Sequence, residues 1–156
     1  MRPTVAVRRR ALLATLAAAV VGLSGCGALQ AELDQKRGKP ISFGDVENAV
    51  PAAVPRVVRV EDSSRWTNGF GNAAGFTLVT DSADPFTAEE LDDVVRTIWT
   101  EVLWDISSLQ LIAVTDDPAA PAGVDLRAAA AGLAPLGTTQ AGQNGVTLTG
   151  LDARYG

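Results

Sequence analysis

ADPFTAEELDDVVRTIWTEVLWDISSLQLIAVTDD, residues 83–117, encodes a helix and the strand that follows it, and the rest of the fold is read outward from this pair. Thr87 and Glu90 have the T-x-x-E spacing of a capping box, in which each side chain accepts from the other's backbone N–H. Phe86 and Leu91 stand at the two positions of a hydrophobic staple. Leu91, Val94, Val95, Ile98, Val102 and Leu103 recur at i, i+3, i+4 and i+7, which predicts one buried stripe. Glu89, Glu90, Asp92 and Asp93 crowd the first turns, where the helix dipole favours negative charge. SLQLIAVTDD then carries apolar residues on both faces: Leu109, Leu111 and Ala113 on one, Ile112 and Val114 on the other. That pattern belongs to a central strand.

Upstream, FGDVENAV suggests a short helix capped by Ser42, with Asp45 three positions on, and stopped by Pro51 and Pro55. RVVRVEDSSRW alternates, Val58 and Val60 against Val57, Arg59 and Glu61; GFTLVTD sets Phe76, Leu78 and Thr80 against Thr77 and Val79. Both suit half-buried antiparallel strands, with TNGFGNAAG between them as a hairpin loop. Downstream, GVDLRAAAAGL reads as a helix capped by Asp125 and ended by Gly132, and NGVTLTG as one further strand. The expected class is α+β: a small mixed sheet of about 3–4 strands with two or three helices on one face, in the order αββαβ plus an extra helix.

The N-terminal segment has a different character. MRPTVAVRRR carries Arg2, Arg8, Arg9 and Arg10, and the apolar run ALLATLAAAVVGL follows. A basic region and an apolar run of this length describe an export signal, and the run falls short of the roughly 20 residues of a spanning helix. It ends in Leu23-Ser24-Gly25-Cys26. The tetrad resembles the lipobox of bacterial lipoproteins, L-[ASTV]-[GA]-C, at all four positions. The resemblance implies cleavage between Gly25 and Cys26, a diacylglyceryl group (palmitate or a similar chain) on the Cys26 sulfur, and a place on the outer face of the cell membrane. Arg9-Arg10-Ala11-Leu12-Leu13 is also similar to a loose twin-arginine signal, which leaves the export route open between the general and the twin-arginine pathways.

On this reading residues 1–25 are the signal, 26–42 the lipidated cysteine and a tether, and 43–156 a single α+β domain. Behaving as a random coil, 16 tether residues would lift the domain by about 20–24 Å. Removing the signal leaves nine Lys and Arg against 18 Asp and Glu, a net charge of −9. Such a domain is repelled by phosphate backbones and by anionic lipid, so nucleic acid is not an expected partner and acyl chains must supply the membrane attachment. The bias toward Ala, Val, Gly and Arg points to a GC-rich, actinobacterial source. The αββαβ order over residues 43–114 loosely resembles the BON domain, an envelope module associated with phospholipid binding. GFTLVTD lacks that family's glycine-centred V-x-L-x-G pattern, and no functional residue is carried over.

The chain has no histidine, and Cys26 is its one cysteine. That excludes Ser-His-Asp and Cys-His catalysis and any disulfide within the chain. No nucleotide-binding, zinc-protease or serine-hydrolase motif stands in the domain. Trp66 and Phe70 flank the hairpin loop and are the candidate binding residues for an envelope protein or a glycan; Trp99 and Trp104 read as core or core edge. Asp81 and Asp84 follow one strand and Asp116 and Asp117 another, where they could hold calcium or serve as a glycosidase pair if the strand ends meet. No cofactor, metal ligand or catalytic residue is assigned. The expected role is a membrane-anchored binding or accessory module of the cell envelope, with a small Asp/Glu hydrolase as the alternative.

Overall fold

The computed structural model describes residues 41–69, 71–142 and 144–156. Cys26, Gly25, the signal and most of the tether lie outside the described residues, as does Phe70. The elements are α1 (Val46–Ala53), β1 (Val57–Asn68), β2 (Gly71–Thr80), α2 (Ala88–Glu101), β3 (Ser108–Thr115), β4 (Gly123–Val124), α3 (Arg127–Ala131), β5 (Gly137–Ala141), β6 (Gly145–Thr149) and α4 (Asp152–Tyr155). The class is mixed α and β as expected, but the sheet has six strands rather than three or four. Its order is β1-β2-β3-β6-β5, with β4 beside the far half of β3. β1 and β2 form an antiparallel hairpin, β2 and β3 run parallel through α2, and the other pairs are antiparallel.

The helix read from the sequence forms with its cap intact. Glu90 N donates to Thr87 Oγ1 at 3.2 Å and Thr87 N to Glu90 Oε2 at 2.9 Å. Phe86 and Leu91 are both buried, as a staple requires. Leu91, Val94, Val95 and Ile98 are buried against Phe76, Leu78, Leu109, Leu111, Val146 and Leu148 of the sheet and against Val46 and Val50 of α1. Leu103 does not belong to this stripe. α2 stops at Glu101, Val102 takes an extended conformation, and the turned chain leaves Leu103 82% exposed.

Other expectations need correction. Ser42 does not cap α1: its hydroxyl accepts from Gly44 N at 3.2 Å, and Asp45 holds the cap position without a side-chain bond to the backbone. Pro51 lies inside α1, which runs on to Ala53. In β1 the buried valines are Val57 and Val60, not Val58 and Val60, because a register shift between Val57 and Arg59 moves the alternation by one residue. The loop expected over residues 67–75 shrinks to the turn between Asn68 and Gly71, since the ladder continues through Asn68↔Gly71. At the C-terminal end β5 and α4 were not foreseen, whereas NGVTLTG does supply β6. Asp125 does not cap α3: Leu126 holds that position without a side-chain bond, and Asp125, one residue before it, accepts from Arg127 N at 2.8 Å through Oδ1. Gly123 and Val124 form β4 instead of helix, while Gly132 follows the last residue of α3.

Arg56 fastens the crossover from β2 to α2. Its guanidinium donates to the carbonyls of Ser82, Asp84 and Pro85 and to Glu90 Oε2, and lies 4.6 Å from the centroid of the Phe86 ring. Without it the carbonyls of this polar loop would have to find water instead.

Candidate functional site

Strand side chains alternate between the two faces of a sheet. Ala74, Phe76, Leu78, Leu109, Leu111, Ala113, Val146 and Leu148 point into the core with the helices. Their neighbours therefore point the other way, and the register places those neighbours in rows. One row runs Trp66, Ala73, Ser108, Thr149, Gly137 across β1, β2, β3, β6 and β5. The next runs Ser64, Gly75, Gln110, Thr147, Thr139. Beyond them lie Glu61, Thr77 and Ile112, and then Arg59, Val79 and Val114. Val79 and Ala73 are buried yet stand apart from the main core, as residues of the opposite face should.

This open face holds two shallow depressions. One, of about 280 Å³, is bordered by Asp62, Ser64, Gly75, Thr77, Gln110 and Ile112. The other, of about 440 Å³, lies over Thr77, Val79, Ile112 and Val114, with Arg59, Glu61 and Asp117 at its rim. Trp66 is the aromatic side chain of this surface. It is on β1 rather than in a loop, paired with Ala73, and remains 38% exposed. Gly75 makes room for it: a methyl group there would stand 2.8 Å from Ser64 Oγ and 2.9 Å from the Trp66 ring. The indole thus shields a strand glycine, the cross-strand pairing that compensates for a missing side chain.

The other aromatics lie elsewhere. Trp104 donates its indole N–H to Ser42 O at 3.1 Å, meets Phe43 edge-on at 5.9 Å, and carries the Arg65 guanidinium 4.5 Å from its ring centroid. Trp99 packs beside Tyr155 at 6.5 Å. Both border the core, as the sequence suggested, and with Val102, Leu103 and Asp105 they line a depression of about 310 Å³ at the end of α2.

The acidic strand ends do meet, because β2 and β3 are parallel neighbours in register from Ala73↔Ser108 to Thr80↔Thr115. The carboxylates of Asp84, Asp116 and Asp117 are otherwise engaged, and Asp81 is exposed. Asp116 takes Arg59 Nη1 at 2.6 Å, and Glu61 takes the same guanidinium at Nε, which holds Arg59 further above its ordinary range through the Glu61 bond first and Asp116 second. Asp117 Oδ1 accepts from Ala119 N at 2.9 Å and Ala120 N at 3.2 Å, a turn-forming role. Asp84 Oδ2 accepts from Ser82 Oγ at 2.8 Å. Among the described residues no three acidic, histidine or cysteine side chains are grouped so as to hold a metal ion.

Sequence reasoning found Trp66 but missed Ser64, Gly75, Gln110 and Thr147 beside it. Each is polar or small and carries no signal alone; period-two alternation assigns them a face only once the register is known. No described helix is long and apolar enough to cross a membrane. No protein family, curated protein or solved structure matches the chain.

Proposed function

We propose that this chain is a lipid-anchored, extracytoplasmic binding module of the cell envelope, held at the outer face of the membrane through Cys26 and presenting the open face of its sheet. The N-terminal sequence supports the anchor: a basic region, a short apolar run and Leu23-Ser24-Gly25-Cys26 in succession. Two acyl chains give stable attachment where one is marginal. The observation that carries the binding half is the one-sided covering of the sheet. The helices share one core with the inward strand residues, while Trp66, Gln110, Ile112 and Thr147 are left at least partly exposed on the other side. With Asp84, Asp116 and Asp117 engaged in an ion pair and in turns, the hydrolase alternative gains no support from the strand ends.

Intact mass and membrane fractionation in a GC-rich Gram-positive host test the anchor. The wild type should carry a diacylglyceryl adduct and sediment with membranes, and Cys26→Ala should lose both; an unmodified, released wild type would overturn it. A photo-cross-linking residue at Thr147 in the same cells tests the open face. A discrete adduct absent when the cross-linker is moved to Arg96 on α2 is expected, whereas equal labelling from both positions, or none, would count against a dedicated surface.

A further inference from the structure

The two rows nearest the β1–β2 turn differ in charge from the rest of the domain. Residues 41–156 hold 16 Asp and Glu against six Arg and no Lys. Yet the ten positions from Trp66 to Gly137 and from Ser64 to Thr139 include no ionisable side chain at all. They comprise Trp66, one amide, the hydroxyls of Ser64, Ser108, Thr139, Thr147 and Thr149, and the small residues Ala73, Gly75 and Gly137. The one carboxylate bordering the adjoining depression is Asp62, midway along β1, where a positive φ at the register shift between Glu61 and Ser64 turns it out of the regular ladder.

We infer that these two rows form a binding site for a neutral oligosaccharide, laid across the strands with a sugar ring against Trp66. This inference rests on reading the open face as the binding surface and names the ligand class. Charge sets the class. An anionic polymer would meet an acidic domain with no cation in either row to hold it, and a cationic one would find no carboxylate within them. A chain of neutral pyranoses matches what is there: it offers C–H faces for the exposed indole and hydroxyls for the amide and the row of Ser and Thr, of which Ser64 and Thr149 already donate to Gly75 O and Gly137 O and are left to accept. Gly75 leaves room for the Trp66 ring and Gly137 for the Thr149 hydroxyl, so both side chains lie down on the sheet rather than standing away from it. Ser108 adds an independent sign. It is 2% exposed, its hydroxyl has no hydrogen-bond partner among the described residues, and alternation with the core residue Leu109 sends it to this face. Four inter-strand steps of the row span about 19 Å, enough for a few sugar rings.

The test is a titration of the full chain, purified in detergent and isotopically labelled, with chitohexaose, cellohexaose and maltohexaose, and with an oligogalacturonate as the anionic control. At least one neutral hexaose should shift the amide resonances of Ser64, Gly75, Gln110 and Thr147, and the oligogalacturonate should not. Trp66→Ala and Gln110→Ala should each weaken binding by about tenfold or more. Gln110 is partly exposed, so Gln110→Ala should leave the melting temperature unchanged even if Trp66→Ala disturbs the hairpin. Shifts confined to other surfaces, equal binding of the anionic sugar, or no response to any neutral hexaose would overturn the inference. In that last case the Thr147 cross-linking result separates the two readings. A discrete protein adduct keeps the face as a binding surface for a different ligand class, and its absence removes both.

Discussion

Asp92 receives three donors from two directions. Its Oδ1 accepts from Arg154 Nε and from the Tyr155 hydroxyl, both at 2.8 Å, while Oδ2 takes Arg96 from the next turn of its own helix. Arg154 also donates to Ala134 O, so one carboxylate ties the last four-residue helix to α2 and to the loop after α3. Burial is the largest single influence on Asp92 and opposes its charge, but the bonds from Arg154 and Tyr155, with the charges of Arg154 and Arg96, outweigh it and hold the carboxyl below its ordinary range. Tyr155 is pushed up to about 12, by burial first and by Asp92 second. The two contributions to stability have opposite pH windows. That of Asp92 is complete above the ordinary carboxyl range and is lost as pH falls through its lowered value. That of Tyr155 is complete below its ordinary value near about 10 and is lost as pH rises further. Urea midpoints measured against pH should therefore fall more steeply for the wild type than for Tyr155→Phe in the alkaline range. Parallel profiles would show that the phenol is not coupled to folding through Asp92.

Among the elements, α2 is the one whose local sequence suffices to specify it. Removing its cap by Thr87→Ala should cost about 1 kcal/mol, since Glu90 N loses its acceptor and the reciprocal bond from Thr87 N loses its fixed geometry. For a domain of this size that lowers the melting temperature by roughly 4 °C. Thr87→Ser should restore most of it; equal losses in both variants would mean the capping bonds contribute nothing. α2 and β3 were legible because cap, staple and periodicity are all local and agree. What was not legible depends on tertiary partners. The slip at Val58 comes from a bulge whose cause lies in pairing with β2. Leu103 kept the helical period, but the segment before α1 packs across the end of α2, where Asp45 N meets Glu101 Oε2 at 3.3 Å and Trp104 meets Ser42. β5 is a polar edge strand of Gly and Thr with almost no apolar alternation, so nothing in GTTQA marks it before β6 is in place. The same division holds for the candidate site. Trp66 drew attention as a large aromatic flanking a hairpin loop, whereas its neighbours in the row are set by register alone.

At the scale of the whole molecule, charge acts in two opposing ways. Five of the six arginines in residues 41–156 are held in ion pairs, and the sixth, Arg65, lies over Trp104. Salt weakens exposed pairs such as Arg59 with Glu61 and Asp116, each of which contributes little in water. The pairs of Arg56 with Glu90 and of Arg154 with Asp92 involve side chains that are mostly covered, and these are screened less. Against those losses stand ten uncompensated negative charges on residues 41–156, whose mutual repulsion opposes the compact state and is relieved as the Debye length shrinks from about 30 Å at 0.01 M to about 8 Å at 0.15 M. The repulsion acts among many carboxylates at once, while the exposed pairs at risk are few, so relief of repulsion should dominate. The melting temperature should rise between 0.01 M and 0.15 M sodium chloride near neutral pH. A rise that vanishes at pH values where most carboxyls are protonated would locate its cause in the net charge. A fall with added salt would instead mean that the arginine pairs, Arg59 with its two carboxylates foremost, hold the fold more strongly than the surplus of acid strains it.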